Sequence, residues 1–217
     1  MSGTLTEEAR HRELAALVAA RICHDVVSPL GAIGNGLELL ALAGAADGPE
    51  LALVRESAGN AMARIRLFRL AFGDARPGQR VAGGEVEAAL RGALEQPRRS
   101  LDAEMPADLA RTDARIGCLA ALCADAALIQ GGSLRLGFDG AAWRLQVEAP
   151  RLRQDLPWSL LTVPADGAEG GSGARAGAPE APPEPATVQF ALLAGCLAAT
   201  GRRAELSLSD TALAARL

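Results

Sequence analysis

Apolar positions near the start of the chain recur at steps of three and four: Leu14, Val18, Ile22, Val26, Leu30, Ile33, Leu37 and Leu40. That spacing keeps them on one stripe and predicts a long amphipathic α-helix. The stripe ends in AGAADGP, where Gly44 and Gly48 break the pattern and Pro49 is placed to open a second helix in its first turn. There Leu51, Val54, Ala58, Ala61, Ile65, Phe68 and Phe72 alternate the two steps, with small residues in the middle, as in the seam of a bundle; Gly73 stops the run. A short turn makes the two helices antiparallel. A lone hairpin leaves part of its stripe uncovered, so the pattern predicts that two hairpins pair into a dimeric four-helix bundle.

Beyond DARPGQR the pattern changes. A helix is expected from Gly84 to Leu94, a short strand around Arg99 to Asp102, and a strong helix from Asp113 to Ile129 capped by Thr112 or Asp113. SLRLGF and WRLQVEA alternate with period two across the turn DGAA, which predicts a β-hairpin. Residues 164–186, rich in Gly, Ala and Pro, are expected to form a mobile loop. A helix from Val188 to Ala199, a stop at Gly201 and a strand from Ala204 to Leu208 complete the expectation. The fold class is therefore α+β: a helical hairpin over residues 1–77, then an α/β sandwich over 78–217 with its helices on one side of a sheet.

Composition narrows the chemistry. The 217 residues, 49% hydrophobic and 22% charged, suffice for a buried core. No uninterrupted run of 18 apolar residues occurs, and MSGTLTEEARHRE is too polar for a secretory signal, so a cytoplasmic location without membrane attachment is expected. All 22 positive charges are arginine, and the lack of lysine excludes Schiff-base and P-loop chemistry. A net charge of −4 is not the positive excess of a nucleic-acid-binding domain, so no nucleic-acid partner is expected. Cys23, Cys118, Cys123 and Cys196 show no CxxC spacing and are read as unpaired thiols without a zinc site. The histidines number two, His11 and His24, and His11 sits in the charged surface pattern EEARHRE.

His24 lies where local rules are broken. In RICHDVVSPLGAIGNGLELL, Pro29, Gly31, Gly34 and Gly36 interrupt an otherwise helical pattern. An interior Gly costs about 1 kcal/mol against Ala, and an interior Pro about 3. On a helical wheel His24 is about 160° from Ile22 and Val26, so it faces away from the buried stripe. Arg21, Ser28, Gly31 and Asn35 share its side, a polar or bare strip that another protein can approach closely. Pro29 releases the carbonyl of Asp25 and is expected to bend the helix just past the histidine. Rule-breaking gathered around one exposed imidazole marks a functional site.

The chemistry available there is nucleophilic. A neutral imidazole attacks activated phosphorus without a Ser or Cys partner, and Asp25 can orient the ring and stabilise the charge that forms. Cys23 and Asp25 point to different sides of the helix, so no metal site is expected. On the second helix Arg64, Arg66 and Arg69 fall level with His24; they form either a solvated face or a positive rim for an acidic partner.

HDVVSPL resembles the phosphoacceptor box of two-component histidine kinases, and the longer RICHDVVSPLGAIGNGLELL is similar to the ChpT-type histidine phosphotransferases of alphaproteobacteria. The resemblance implies that the hairpin is a dimerisation and phosphoacceptor bundle, with His24 phosphorylated and Asp25 its acidic neighbour. The second half resembles, more distantly, the ATP-binding domain of those kinases. TDARIGCLAALCADAALIQGGSLRLGF looks like the nucleotide-box helix running into a strand led by two glycines. Asp125 stands nearest the place of the kinases' magnesium-binding Asn, and Pro150, Arg151 and Arg153 stand where a glycine-rich nucleotide loop is expected. EGGSGARAG follows no strand and has no Lys, so it is read as linker. The resemblance thus implies a degenerate ATPase domain with no cofactor of its own. It further implies a phosphorelay in which His24 accepts a phosphoryl group from the receiver Asp of a hybrid kinase and passes it to response regulators of the CtrA and CpdR type, the receivers supplying Mg²⁺. Autophosphorylation from ATP and a non-catalytic scaffold are the alternatives.

Overall fold

The computed structural model describes residues 7–43, 48–161 and 184–217. Helix α1 (Glu7–Ala43) runs unbroken through Pro29. Helix α2 (Pro49–Phe72) starts with its proline in the first turn and stops at Gly73, as the punctuation predicts. The two pack side by side. The expected break at Gly44 falls outside the described residues, as does most of the expected loop 164–186; its last two residues, 185 and 186, lie in a 3₁₀ turn, Pro185–Thr187.

The remaining elements are β1 (Arg80–Ala82), α3 (Gly83–Leu94), β2 (Arg99–Glu104), β3 (Asp108–Ala110), α4 (Arg111–Ala127), β4 (Gly132–Phe138), β5 (Trp143–Glu148), α5 (Val188–Ala199), β6 (Glu205–Leu208) and β7 (Ala212–Arg216). Strands β1 and β3 pair as a small antiparallel ribbon. The others form a five-stranded sheet in the order β2-β4-β5-β7-β6, parallel between β2 and β4 and antiparallel elsewhere. The class is α+β, as expected.

Several local expectations shift. The α4 cap is neither Thr112 nor Asp113: the helix starts at Arg111 after an extended Ala110, with no side-chain cap. β3 runs straight into the helix, so those two residues already lie in its first turn, and Asp113 instead pairs with Arg202 at 2.6 Å. Strand β7 escapes a propensity reading because ALAAR is alanine-rich. It is a strand because Leu213 and Ala215 alternate into the core while its backbone bridges β5 and β6.

The largest difference concerns α2. Ala61 and Phe68 of its predicted seam are buried, but Ile65 is exposed. A second stripe, Ala63, Leu67, Leu70 and Ala71, packs on α3 and α4 and joins the core that continues beneath the sheet. Each buried leucine there contributes about 2 kcal/mol. Within that core Gly117 of α4 admits the Trp143 ring, which a Cβ would strike, and the ring donates Nε1–H to the Asp113 carbonyl at 2.9 Å.

The stripe of α1 is only partly covered. Ile22 packs against the core, whereas Leu30 and Leu37 are each 54% exposed and Leu42 is 86% exposed. Among the described residues, the stretch Glu13–Leu40 is long and apolar enough, by length and composition alone, to cross a membrane. Arg21, His24 and Asp25 interrupt that stretch, which is why no uninterrupted apolar run appears in the sequence.

Candidate functional site around His24

His24 stands on the exposed side of α1, its side chain 86% accessible. The ring has little packing to orient it. Its fixed contact is with the next residue: Nδ1 lies 2.9 Å from Oδ1 of Asp25. An ionised carboxylate only accepts, so Nδ1 carries the proton and donates it. The lone pair then resides on Nε2, on a ring that is 86% accessible.

Asp25 is itself held. Its side chain is 8% exposed, and Oδ2 accepts from Arg21 Nε at 2.9 Å across one helical turn. Arg64 of α2 brings Nη1 to 3.6 Å of the same oxygen. Two guanidiniums thus stabilise a nearly buried carboxylate that a single unmatched charge would destabilise. Arg21 has a second bond, from Nη1 to the carbonyl of Ala186 at 2.8 Å, which ties α1 to the 3₁₀ turn before α5. That carbonyl also accepts from Gln189 Nε2 at 3.1 Å.

These contacts revise the expected docking strip. Arg21 and Arg64 turn inward onto Asp25 rather than outward. Gly31 and Asn35 are exposed, and a Cβ at Gly31 or Gly34 would meet nothing, so this face is bare. The Ser28 side chain lies outside the described residues. Arg66 is exposed. Arg69 faces Glu85 at 3.6 Å and, with Arg80 and Arg111, lines a cleft of about 360 Å³ at the start of α3. Only Arg64 of the three expected rim arginines therefore joins the Asp25 cluster.

In the second half, Asp125 gives its carboxylate to Arg99 Nη1 at 2.5 Å, while Arg99 Nη2 donates to the Leu128 carbonyl. Burial pushes the Asp125 carboxyl up, against the downward pull of Arg99, Arg64 and Arg21. The segment after β5 is closed against its neighbours. Leu152 is buried, its N–H donates to Asp210 and that of Arg153 to Ala127, and the Arg153 side chain clasps Asp155 with two bonds. The Arg21–Ala186 bond carries no local sequence signal, because its partners are 165 residues apart, whereas Gln189 lies three residues from Ala186.

The model of the histidine phosphotransferase C-terminal domain matches residues 83–212. The protein phosphotransferase ChpT of Brucella abortus (strain 2308) is 34% identical over 180 residues, covering 82% of this chain and 81% of that protein. A bacterial phosphotransferase solved at 1.7 Å superposes with a TM-score of 0.75 at 27% identity, over 99% of this chain and 98% of that one. The chain belongs to the histidine phosphotransferase family. Within it, the resemblance to the ChpT-type group read from the α1 motif is matched by the name of the Brucella relative. Membership brings phosphotransfer as the activity and two-component signalling proteins, in general terms, as partners.

Proposed function

We propose that this protein is a phosphorelay carrier in which Nε2 of His24 takes a phosphoryl group from the aspartyl phosphate of a hybrid-kinase receiver and passes it to the Asp of a response regulator. The observation that carries this reading is the geometry of one ring: 86% accessible, with Nδ1–H donated to Asp25 and so Nε2 left with the free lone pair. In the transfer the Nε2 lone pair forms the P–N bond, and the donor P–O bond breaks with its electrons leaving on the carboxylate. The ring becomes cationic, and Asp25 balances that charge through Nδ1–H. The receiver brings Mg²⁺, so the carrier contributes position more than bond-making machinery.

The relay needs no nucleotide from this chain. Asp125 bonded to Arg99, and Leu152 filling the core after β5, support a second half, residues 78–217, that serves as a degenerate ATPase-like support for the hairpin of residues 1–77. Exposed Leu30, Leu37, Leu39, Leu42, Met62 and Ile65 support a homodimer closed as a four-helix bundle, an aqueous use of the apolar helix that fits a cytoplasmic location. Gly31, Asn35, Arg66 and Arg69 make up the surface offered to receivers, and regulators of the CtrA and CpdR type are the proposed recipients.

Mass spectrometry of the phosphosite, after mixing with a phosphorylated receiver, tests this. Label is expected on His24 and lost in His24→Ala. Label from ATP alone would make the protein a kinase instead, and signalling preserved in His24→Ala would make it a scaffold.

A further inference from the structure

We propose that Gln189 and Arg21 are positioning residues for the phosphoacceptor, so that α5 of the second half sets the ring of His24; this rests on the reading of His24 as the acceptor. The bonds form one continuous path. Gln189 Nε2 donates to the Ala186 carbonyl at 3.1 Å, Arg21 Nη1 donates to that same oxygen at 2.8 Å, and Arg21 Nε donates to Asp25 Oδ2 at 2.9 Å. Asp25 Oδ1 then receives Nδ1–H of His24, also at 2.9 Å.

Each link is needed for the next. An exposed imidazole has no wall of packed atoms to hold it, so its tautomer and orientation follow from where Asp25 sits. Asp25 in turn is held by the Arg21 hydrogen bond, with Arg64 a second, more distant charge at 3.6 Å. The guanidinium reaches two acceptors in different directions with a rigid planar fork, which a lysine ammonium does not reproduce. One of those acceptors is a backbone oxygen on another element, fixed by an amide from α5.

Gln189 itself is poorly explained by packing. It is the most deeply buried polar residue among the described ones, 1% exposed, and its Oε1 finds no donor among them. A methionine fills similar space without stranding an acceptor. The orientation of the amide is nevertheless fixed, because a carbonyl oxygen accepts only and must face Nε2. A buried group that breaks a local rule while anchoring a path to the reactive atom is a functional support.

The test uses the full chain and inorganic phosphoramidate, which phosphorylates histidine without any partner protein and so reads the ring rather than docking. Nitrogen NMR of the neutral His24 ring gives the tautomer; mass spectrometry gives the labelling rate. In the wild type the Nδ1–H form should dominate. Gln189→Met and Arg21→Lys should each shift the ring toward Nε2–H and slow labelling of His24 about tenfold. Folded variants with the wild-type tautomer and labelling rate overturn the proposal. Should Gln189→Met fail to fold, Arg21→Lys, which keeps the charge, decides it alone. The acceptor reading fails separately, if the wild type takes no label at His24 or if His24→Ala takes as much.

Discussion

The proposed carrier role asks for a nucleophile that is open on one side and fixed on the other, and the His24 ring, 86% accessible and bonded to Asp25 at 2.9 Å, has the geometry such a role needs. The cysteines illustrate the opposite environment. Burial pushes the Cys118 thiol up to about 12 and the Cys123 thiol well above its ordinary value, whereas Cys23, beside His24, is exposed. Thiolate is the reactive form, so a native-state thiol-reagent titration should modify Cys23 first and leave Cys118 and Cys123 untouched until the chain unfolds. Linkage gives the same burial a pH signature. Between an unfolded value near 9 and the folded value near 12, the native state keeps a proton on Cys118 that the unfolded chain has released. Stability should therefore fall as pH rises through that window, by up to about 1.4 kcal/mol per pH unit for such a thiol. Denaturant melts from pH 8 to 11 check this, and a flat profile would contradict the buried placement.

At the scale of elements, α1 trades helix strength for an approachable face. Gly31 and Gly34 have open space where a Cβ would go, so no intramolecular clash explains them. Gly31→Ala and Gly34→Ala should each stabilise the helix by about 1 kcal/mol, visible as a higher Tm. The same methyl groups should keep a visiting receiver at a distance and slow phosphoryl transfer to it. Unaltered transfer kinetics would show that the bare strip has no part in docking. Gly117 is a different case, since its missing Cβ makes room for Trp143 inside the core. Gly31 and Gly34 thus face open space while Gly117 faces a packed ring, and only the surroundings tell the two cases apart.

At the scale of the whole molecule, the hairpin is finished on one side only. The second stripe of α2 is buried against α3 and α4, while Leu30, Leu37, Leu42 and Ile65 remain on the surface. The bundle proposal assigns that surface to a second copy. Leu37→Glu then removes two leucines from one symmetric interface, about 2 kcal/mol each, and should raise the dimer dissociation constant about a thousandfold. Sedimentation should show a monomer with unchanged helix content. A wild type that sediments as a monomer would dispose of the bundle.

The amino-acid sequence by itself determined the two helices of the hairpin, the outward direction of His24, the β4–β5 hairpin and α5, because each follows from spacing and punctuation within a short stretch. The α1 motif was enough to resemble the family to which the chain belongs. The rest was decided by tertiary contact. The second buried stripe of α2 exists because α3 and α4 come to lie against it, and β7 is a strand because two neighbours offer it backbone partners. Arg21 and Arg64, polar positions that read as solvent-facing, turn inward because Asp25 and the Ala186 carbonyl lie within reach. Periodicity records which face of an element is apolar, but the partner of a charge or of an exposed carbonyl is set by segments far away in the chain, and only folding brings these together.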